Sequence, residues 1–145
     1  MNRLFNMTFA ALLAGMVAVF SALAQPAAAA ELLMFKEDAC PWCMKFEREV
    51  GRIYDNTPES KIAPLKRIDI DDIPEEYAHV MPVIYTPTFI LLDDEKHVIG
   101  RIEGYPGFDF FWLRLGELLD KLKKHETQKA AHRDTAPRGR ATPRG

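Results

Sequence analysis

The stretch ELLMFKEDACPWCMKF, residues 31–46, constrains the chain more than any other. A short apolar run from Glu31 to Phe35, bounded by polar residues, suits a buried strand. A turn follows, and a helical pattern then opens on Cys40 and runs to about Tyr54. Phe46, Val50 and Ile53 recur at helical spacing, so they are expected inside, with Lys45, Glu47, Arg48, Glu49 and Arg52 at the water edge. A strand therefore feeds a helix through C-P-W-C, which contains both cysteines of the chain, Cys40 and Cys43. That junction lies at the carboxyl end of a strand, the edge at which open α/β sheets bind and react.

The chain has 145 residues, at most one ordinary domain. Part of it does not belong to that domain. Arg3 and the amino terminus are positive, no residue from Leu4 to Ala30 is charged, and Ala28 and Ala30 fit an A-x-A cleavage site before Glu31. This layout predicts a secretory signal peptide over 1–30. An uncleaved anchor is the rival reading, since the apolar run approaches the roughly 20 residues that span a bilayer. Both export the rest of the chain, with membrane contact only through an uncleaved anchor. In an oxidising compartment thiols form and exchange disulfides, so Cys40 and Cys43 pair with each other or react with another molecule.

Residues 31–124 hold 13 basic and 19 acidic residues, and an acidic body argues against nucleic acid as a partner. Residues 125–145 hold 5 basic and 2 acidic residues and almost no large apolar side chain. Such a segment cannot offset its ordering entropy, and a disordered basic tail is expected there.

Between these ends, APLKRIDI (63–70) alternates like a strand, NTPES (56–60) breaks the helical pattern, and DDIPEEYAHV reads as a short helix or loop. TPTFILL (86–92) and HVIGRIEG (97–104), joined by DDEK, predict an antiparallel hairpin over 88–102. In FDFFWLRLGELLDKLKK, Phe111, Leu115, Leu118, Leu119 and Leu122 share one helical face, with Lys121, Lys123 and Lys124 closing the helix at its negative end. The order β-α-β-(α)-β-β-α predicts an α/β domain with a mixed sheet.

Three chemistries fit the cysteine pair. A structural clip over a four-residue loop gains little, roughly 2 kcal/mol. A zinc half-site would need His79, His97, His125 or His132, and no second C-x-x-C or H-x₃₋₅-H pair is present, so no metal is expected. The redox reading has a mechanism. With Cys40 at the N-cap, the free N–H groups of Trp42 and Cys43 and the helix dipole favour its thiolate. Pro41 suits the first helical position. Cys43, one turn inward, would resolve the mixed disulfide, with Cys40 the exposed nucleophile and Trp42 offering an apolar surface to a peptide.

C-P-W-C at a strand-to-helix junction, T-P-T (86–88) at the head of a strand, and GYPG before an amphipathic helix together resemble the thioredoxin superfamily over about residues 31–124. The whole pattern, from the signal segment through YTPTF to GYPGFDFFW, most resembles the small periplasmic thioredoxins of bacterial sulfur-oxidation systems, the SoxS type. The resemblance implies a three-layer α/β/α sandwich with a mixed sheet of about four strands. It also implies a cis Pro87 beside the disulfide, with the backbone of Thr86 pairing to an extended substrate and Trp42 and Tyr85 shaping the contact. Pro41, Pro64, Pro74, Pro82 and Pro106 carry no such implication. The activity implied is periplasmic thiol–disulfide exchange with protein cysteines, as a reductant of a narrow partner set. No cofactor is needed beyond the Cys40–Cys43 disulfide, and electrons come from an exported or membrane donor. The competing class is a thioredoxin-fold binding module or metal-handling chaperone whose cysteines are ligands. Many thioredoxins carry a buried acid six residues before the first cysteine; here that residue is Met34, with Glu37, Asp38 and Glu47 the nearest stand-ins.

Overall fold

The computed structural model describes residues 30–135. The expected signal or anchor, apart from Ala30, and residues 136–145 of the expected tail lie outside them. Among the described residues no helix is long and apolar enough to cross a membrane.

Four strands form one sheet in the order β2-β1-β3-β4: β1 (Glu31–Lys36), β2 (Leu65–Asp69), β3 (Thr88–Leu92) and β4 (Val98–Glu103). β1 runs parallel to β2 and antiparallel to β3, and β3 and β4 form the expected antiparallel hairpin. The inner places go to the two strands that are apolar on both faces. Leu32, Met34, Phe89 and Leu91 point to one side; Leu33, Phe35, Ile90 and Leu92 point to the other. β2 takes an edge, where Lys66 and Arg67 reach water.

The first face is covered by the helix carrying the cysteines and by the last helix. Phe46 sits at its centre, with ring centroids 4.6 Å from Phe89, 5.1 Å from Phe111 and 5.5 Å from Tyr105. Tyr77, Val80 and Val83 cover the second face, the first two from a 3₁₀ helix (Glu75–Val80). The fold class is the expected one, a mixed four-stranded sheet between helical layers, with the second layer reduced to this short helix.

The cysteine-bearing helix is not regular. α1 (Pro41–Phe46) passes into a π-helical segment (Glu47–Gly51) before a last α-helical turn, α2 (Arg52–Tyr54). Hydrogen bonding from i to i+5 adds a residue per turn, so positions four apart, Phe46, Val50 and Tyr54, stay aligned and all are fully buried. Ile53, expected inside, is 44 % exposed instead. The Tyr54 hydroxyl is satisfied by donating to the Ala63 carbonyl at 2.8 Å. The expected break at NTPES holds a short helix of its own, α3 (Pro58–Ile62), with Thr57 as N-cap and Pro58 in its first turn.

α4 (Phe108–Thr135) buries Phe111, Leu115, Leu118 and Leu122 as expected. It does not end at Lys124. Residues 125–135 continue the helix, so the boundary expected after 124 falls inside it, and Lys121, Lys123 and Lys124 are not its last turn. Charge pairs tie this part of the helix to the β3–β4 turn: Lys129 Nζ bridges Asp94 at 2.7 Å and Glu95 at 2.8 Å. A count of apolar residues does not register such pairs.

β4 approaches α4 closely at Gly100, where a Cβ would meet Leu118 Cδ2 at 2.5 Å. Gly100→Val is expected to cost about 1–3 kcal/mol by overpacking, seen as a lower denaturation midpoint with an unchanged slope. An unchanged midpoint would show that α4 yields freely.

Two carboxylates make the fold acid-sensitive. Burial would raise the pKa of Glu31, but hydrogen bonds from Lys66, Lys96 and Tyr77 outweigh it and hold the group below its ordinary 4.5. Burial likewise opposes ionisation of Asp93, and the N–H groups of His97 and Glu95 and the His97 ring outweigh it, holding it below 3.8. A depressed carboxylate stabilises the fold above its unfolded pKa, and that contribution is lost as pH falls through the folded value. The melting temperature should be level above about pH 5 and decline below about pH 4. A melting temperature that rises as the pH is lowered through this range contradicts the assignment.

Candidate active site

The turn between β1 and α1 delivers the cysteines. Ala39 adopts a left-handed φ of 58°, an uncommon conformation for a residue with a Cβ, and Cys40 then takes extended values as the N-cap of α1. Cys40 Sγ accepts the Cys43 N–H at 3.0 Å, and the Cys40 carbonyl accepts the Met44 N–H at 3.1 Å. Pro41 starts the helix, where its missing N–H costs nothing. The two cysteines are joined in a disulfide, with Cα atoms 5.2 Å apart. Both are only 5 % exposed. The expected contrast of an exposed Cys40 and a hidden Cys43 is absent in this oxidised form. Cys40 Sγ is turned toward the Cys43 N–H and bonded to the second sulfur, so both residues are covered alike.

The Thr86–Pro87 peptide is cis. Met81–Pro82 is cis as well, which no motif in the sequence signalled. Three hydrogen bonds fix the Tyr85–Thr88 loop. The Thr86 hydroxyl donates to the Glu37 carboxylate, the Thr88 hydroxyl donates to the Tyr85 carbonyl at 2.7 Å, and the Gly104 N–H donates to the Pro87 carbonyl at 2.8 Å. The turn before the cysteines, the proline loop and the end of β4 are thereby tied together.

Two hollows flank this region. One, of about 390 Å³, is lined by Trp42, Tyr85, Thr86, Glu103, Gly104 and Tyr105. Trp42, Tyr85 and Thr86 thus meet in one groove, and Pro87 adjoins Thr86 without lining it. Trp42 and Tyr85 are more than half exposed, so the rim offers an apolar surface in water; Met44, on the second hollow, and Ile84, next to Tyr85 in the chain, are more than half exposed as well. Lys45 lies over the Trp42 ring, 5.4 Å from its centroid. The Tyr105 hydroxyl donates to Glu49 at 2.7 Å; burial, then the Glu49 carboxylate, push its pKa upward. Sequence reasoning missed Met44, Ile84, Glu103 and Tyr105. An apolar Ile84 amid loop residues was the one available hint.

The second hollow, also about 390 Å³, has Met34, Cys40, Cys43, Met44, Glu47 and Arg48 on its walls. Met34 is fully buried, so the place of the usual acid is apolar. Glu47 receives two hydrogen bonds from Arg67, at 2.6 and 3.0 Å, and Glu37 receives the Thr86 hydroxyl. Of the three stand-in carboxylates, these two are held by other partners. The histidines weighed as zinc partners are elsewhere: His97 and His125 gather at Asp93, just past the end of β3 that pairs with Glu31. The cysteines follow the opposite end of β1, so the strand length of about 17 Å separates the two places.

A family model described as a thioredoxin-like domain matches residues 22–119. Among solved structures, the periplasmic thioredoxin SoxS from Paracoccus pantotrophus is 38 % identical, covering 63 % of this chain and 97 % of that one, with a TM-score of 0.58. A thioredoxin from Thermus thermophilus shares the fold at 24 % identity, with 70 % of this chain and 82 % of that one covered and a TM-score of 0.52. A thioredoxin-fold protein from Helicobacter pylori does so at 20 % identity, with coverages of 74 % and 88 % and a TM-score of 0.51. No curated protein matches the chain. With the family model spanning two thirds of the chain and a C-P-W-C disulfide capping a helix at the sheet edge, the chain belongs to the thioredoxin-like family and is a SoxS-like thiol–disulfide oxidoreductase.

Proposed function

We propose that the protein works in the periplasm as a reductant of a narrow set of protein disulfides. What carries this reading is the geometry at Cys40: its sulfur caps α1 through the Cys43 N–H, and Trp42 of the same helix shares an apolar-rimmed groove with Tyr85 and Thr86. When the pair is reduced, the same N–H and the helix terminus stabilise a Cys40 thiolate. That thiolate attacks one sulfur of a substrate disulfide, forming a mixed disulfide and expelling the other substrate sulfur as thiolate. Cys43, on losing its proton, attacks Cys40 Sγ; the Cys40–Cys43 disulfide closes and the second substrate thiolate leaves. Two electrons pass to the substrate, and an exported or membrane-bound thiol donor restores the dithiol. The substrate segment lies extended along Thr86, between Trp42 and Tyr85, pairing with backbone as an added strand.

The SoxS relative, a periplasmic thioredoxin at 38 % identity, supports the compartment. The uncharged segment over 4–30 supports export. A Cys43→Ser variant expressed with its leader tests the scheme. It should accumulate in the periplasmic fraction as mixed disulfides through Cys40, releasable by dithiothreitol, on few partner proteins. Absence of adducts contradicts the exchange role, and adducts on a broad range of proteins contradict the narrow partner set.

A further inference from the structure

At the end of the sheet away from the cysteines, the β3–β4 turn and α4 bring together four side chains that thiol chemistry does not use. Asp93 is 1 % exposed. Its Oδ1 accepts the N–H groups of Glu95 and His97, each at 2.8 Å. Its Oδ2 faces two imidazole nitrogens, His97 Nδ1 at 3.2 Å and His125 Nδ1 at 3.5 Å. Glu95 Oε2 lies 3.7 Å from the same His97 nitrogen. The donor atoms of Asp93, Glu95 and His97 all fall within 4.8 Å of one another. His125 Nδ1 is itself buried and has no hydrogen-bond partner, a costly arrangement for a polar atom.

We propose that this cluster binds a borderline divalent transition-metal ion of the zinc class, with Asp93, Glu95 and His97 as its core and His125 closing the shell. The spacing fits. Ligand bonds of about 2.0–2.1 Å in tetrahedral geometry place donor atoms about 3.3–3.4 Å apart, close to 3.2 Å from Asp93 to His97, 3.5 Å from Asp93 to His125 and 3.7 Å from Glu95 to His97. His125 stands outside the 4.8 Å trio, and its ring would turn inward to close the shell. The donor types fit as well. Two imidazoles with two carboxylates select zinc-like ions over calcium or magnesium, which prefer oxygen alone. The two carboxylate charges balance the dication, and the ion gives His125 Nδ1 the partner it lacks. Neighbouring cations do not occupy the position: Lys129 and Arg133 approach Glu95 through Oε1, leaving Oε2 to His97. The half-exposed rings of His97 and His125 can adjust around the buried Asp93. Because His125 belongs to α4 and the other three to the turn, the ion would pin the extended part of the helix to the sheet.

The test uses the oxidised protein, in which neither cysteine can ligate. Calorimetric titration with Zn²⁺ should show one ion per chain at micromolar concentrations. Thermal denaturation should then shift upward with Zn²⁺, as binding to the folded state requires. Cobalt(II) should give tetrahedral visible bands without a thiolate charge-transfer band. A His97→Ala/His125→Ala double variant should bind at least about tenfold more weakly, with thiol exchange unchanged. If that variant does not fold, proton NMR of the unaltered protein decides: one equivalent of Zn²⁺ should shift the His97 and His125 ring signals. No binding up to about a hundred times the micromolar range, or a double variant that folds and binds equally well, overturns the proposal. So do shifts confined to His79 or His132.

Discussion

Cys40→Ser is expected to reduce disulfide-exchange turnover on the order of 10³-fold or more, because it removes the nucleophile of the first step. A serine hydroxyl at the same helix cap stays protonated near neutral pH and forms no mixed disulfide. The loss should be chemical and not structural. Opening a four-residue disulfide loop changes stability by only about 2 kcal/mol on the chain-entropy estimate, well below the roughly 5–15 kcal/mol of a typical domain. The measurement is reduction of a protein disulfide with dithiothreitol as electron source, beside circular dichroism of the same sample. A folded Cys40→Ser variant retaining a tenth of the activity would mean that Cys40 is not the attacking sulfur. Cys43→Ser separates the two roles, since it should still attack and then stall.

Phe46→Ala should have the largest effect on stability. Phe46 is fully buried and touches the rings of Phe89, Tyr105 and Phe111, so it joins both inner-face helices to the sheet. Truncating such a side chain costs about 3–5 kcal/mol, part in lost transfer energy and part in the cavity left behind. At about 4–8 °C per kcal/mol for a domain of this size, the melting temperature should fall by at least about 12 °C. Phe46 is also the last residue of α1, three positions after Cys43, so the same truncation loosens the element that aims the cysteines. A fall of less than about 5 °C would show that the aromatic cluster repacks around the gap.

How far these features could be read in advance depends on the range of the interaction behind each. The strand into C-P-W-C, the 88–102 hairpin and the inward face of α4 were legible because each rests on local periodicity or turn chemistry. Ile53 was misplaced because a π-helical segment changes the residue count per turn, and Tyr54, satisfied by the distant Ala63 carbonyl, takes the buried place. The helix beyond Lys124 was missed because Lys129 meets Asp94 and Glu95 across 35 and 34 positions of chain. Glu103 and Tyr105 joined the groove only when β4 folded beside the Tyr85–Thr86 loop. By itself, then, the sequence determined the redox-capable pair, its place at a strand end and the apolar faces of the sheet, since neighbouring residues carry that information. The tertiary structure alone decided which walls surround the disulfide, how far α4 extends and that His125 of α4 reaches Asp93. Those depend on groups remote in the chain, and only the packed sheet brings them within bonding distance.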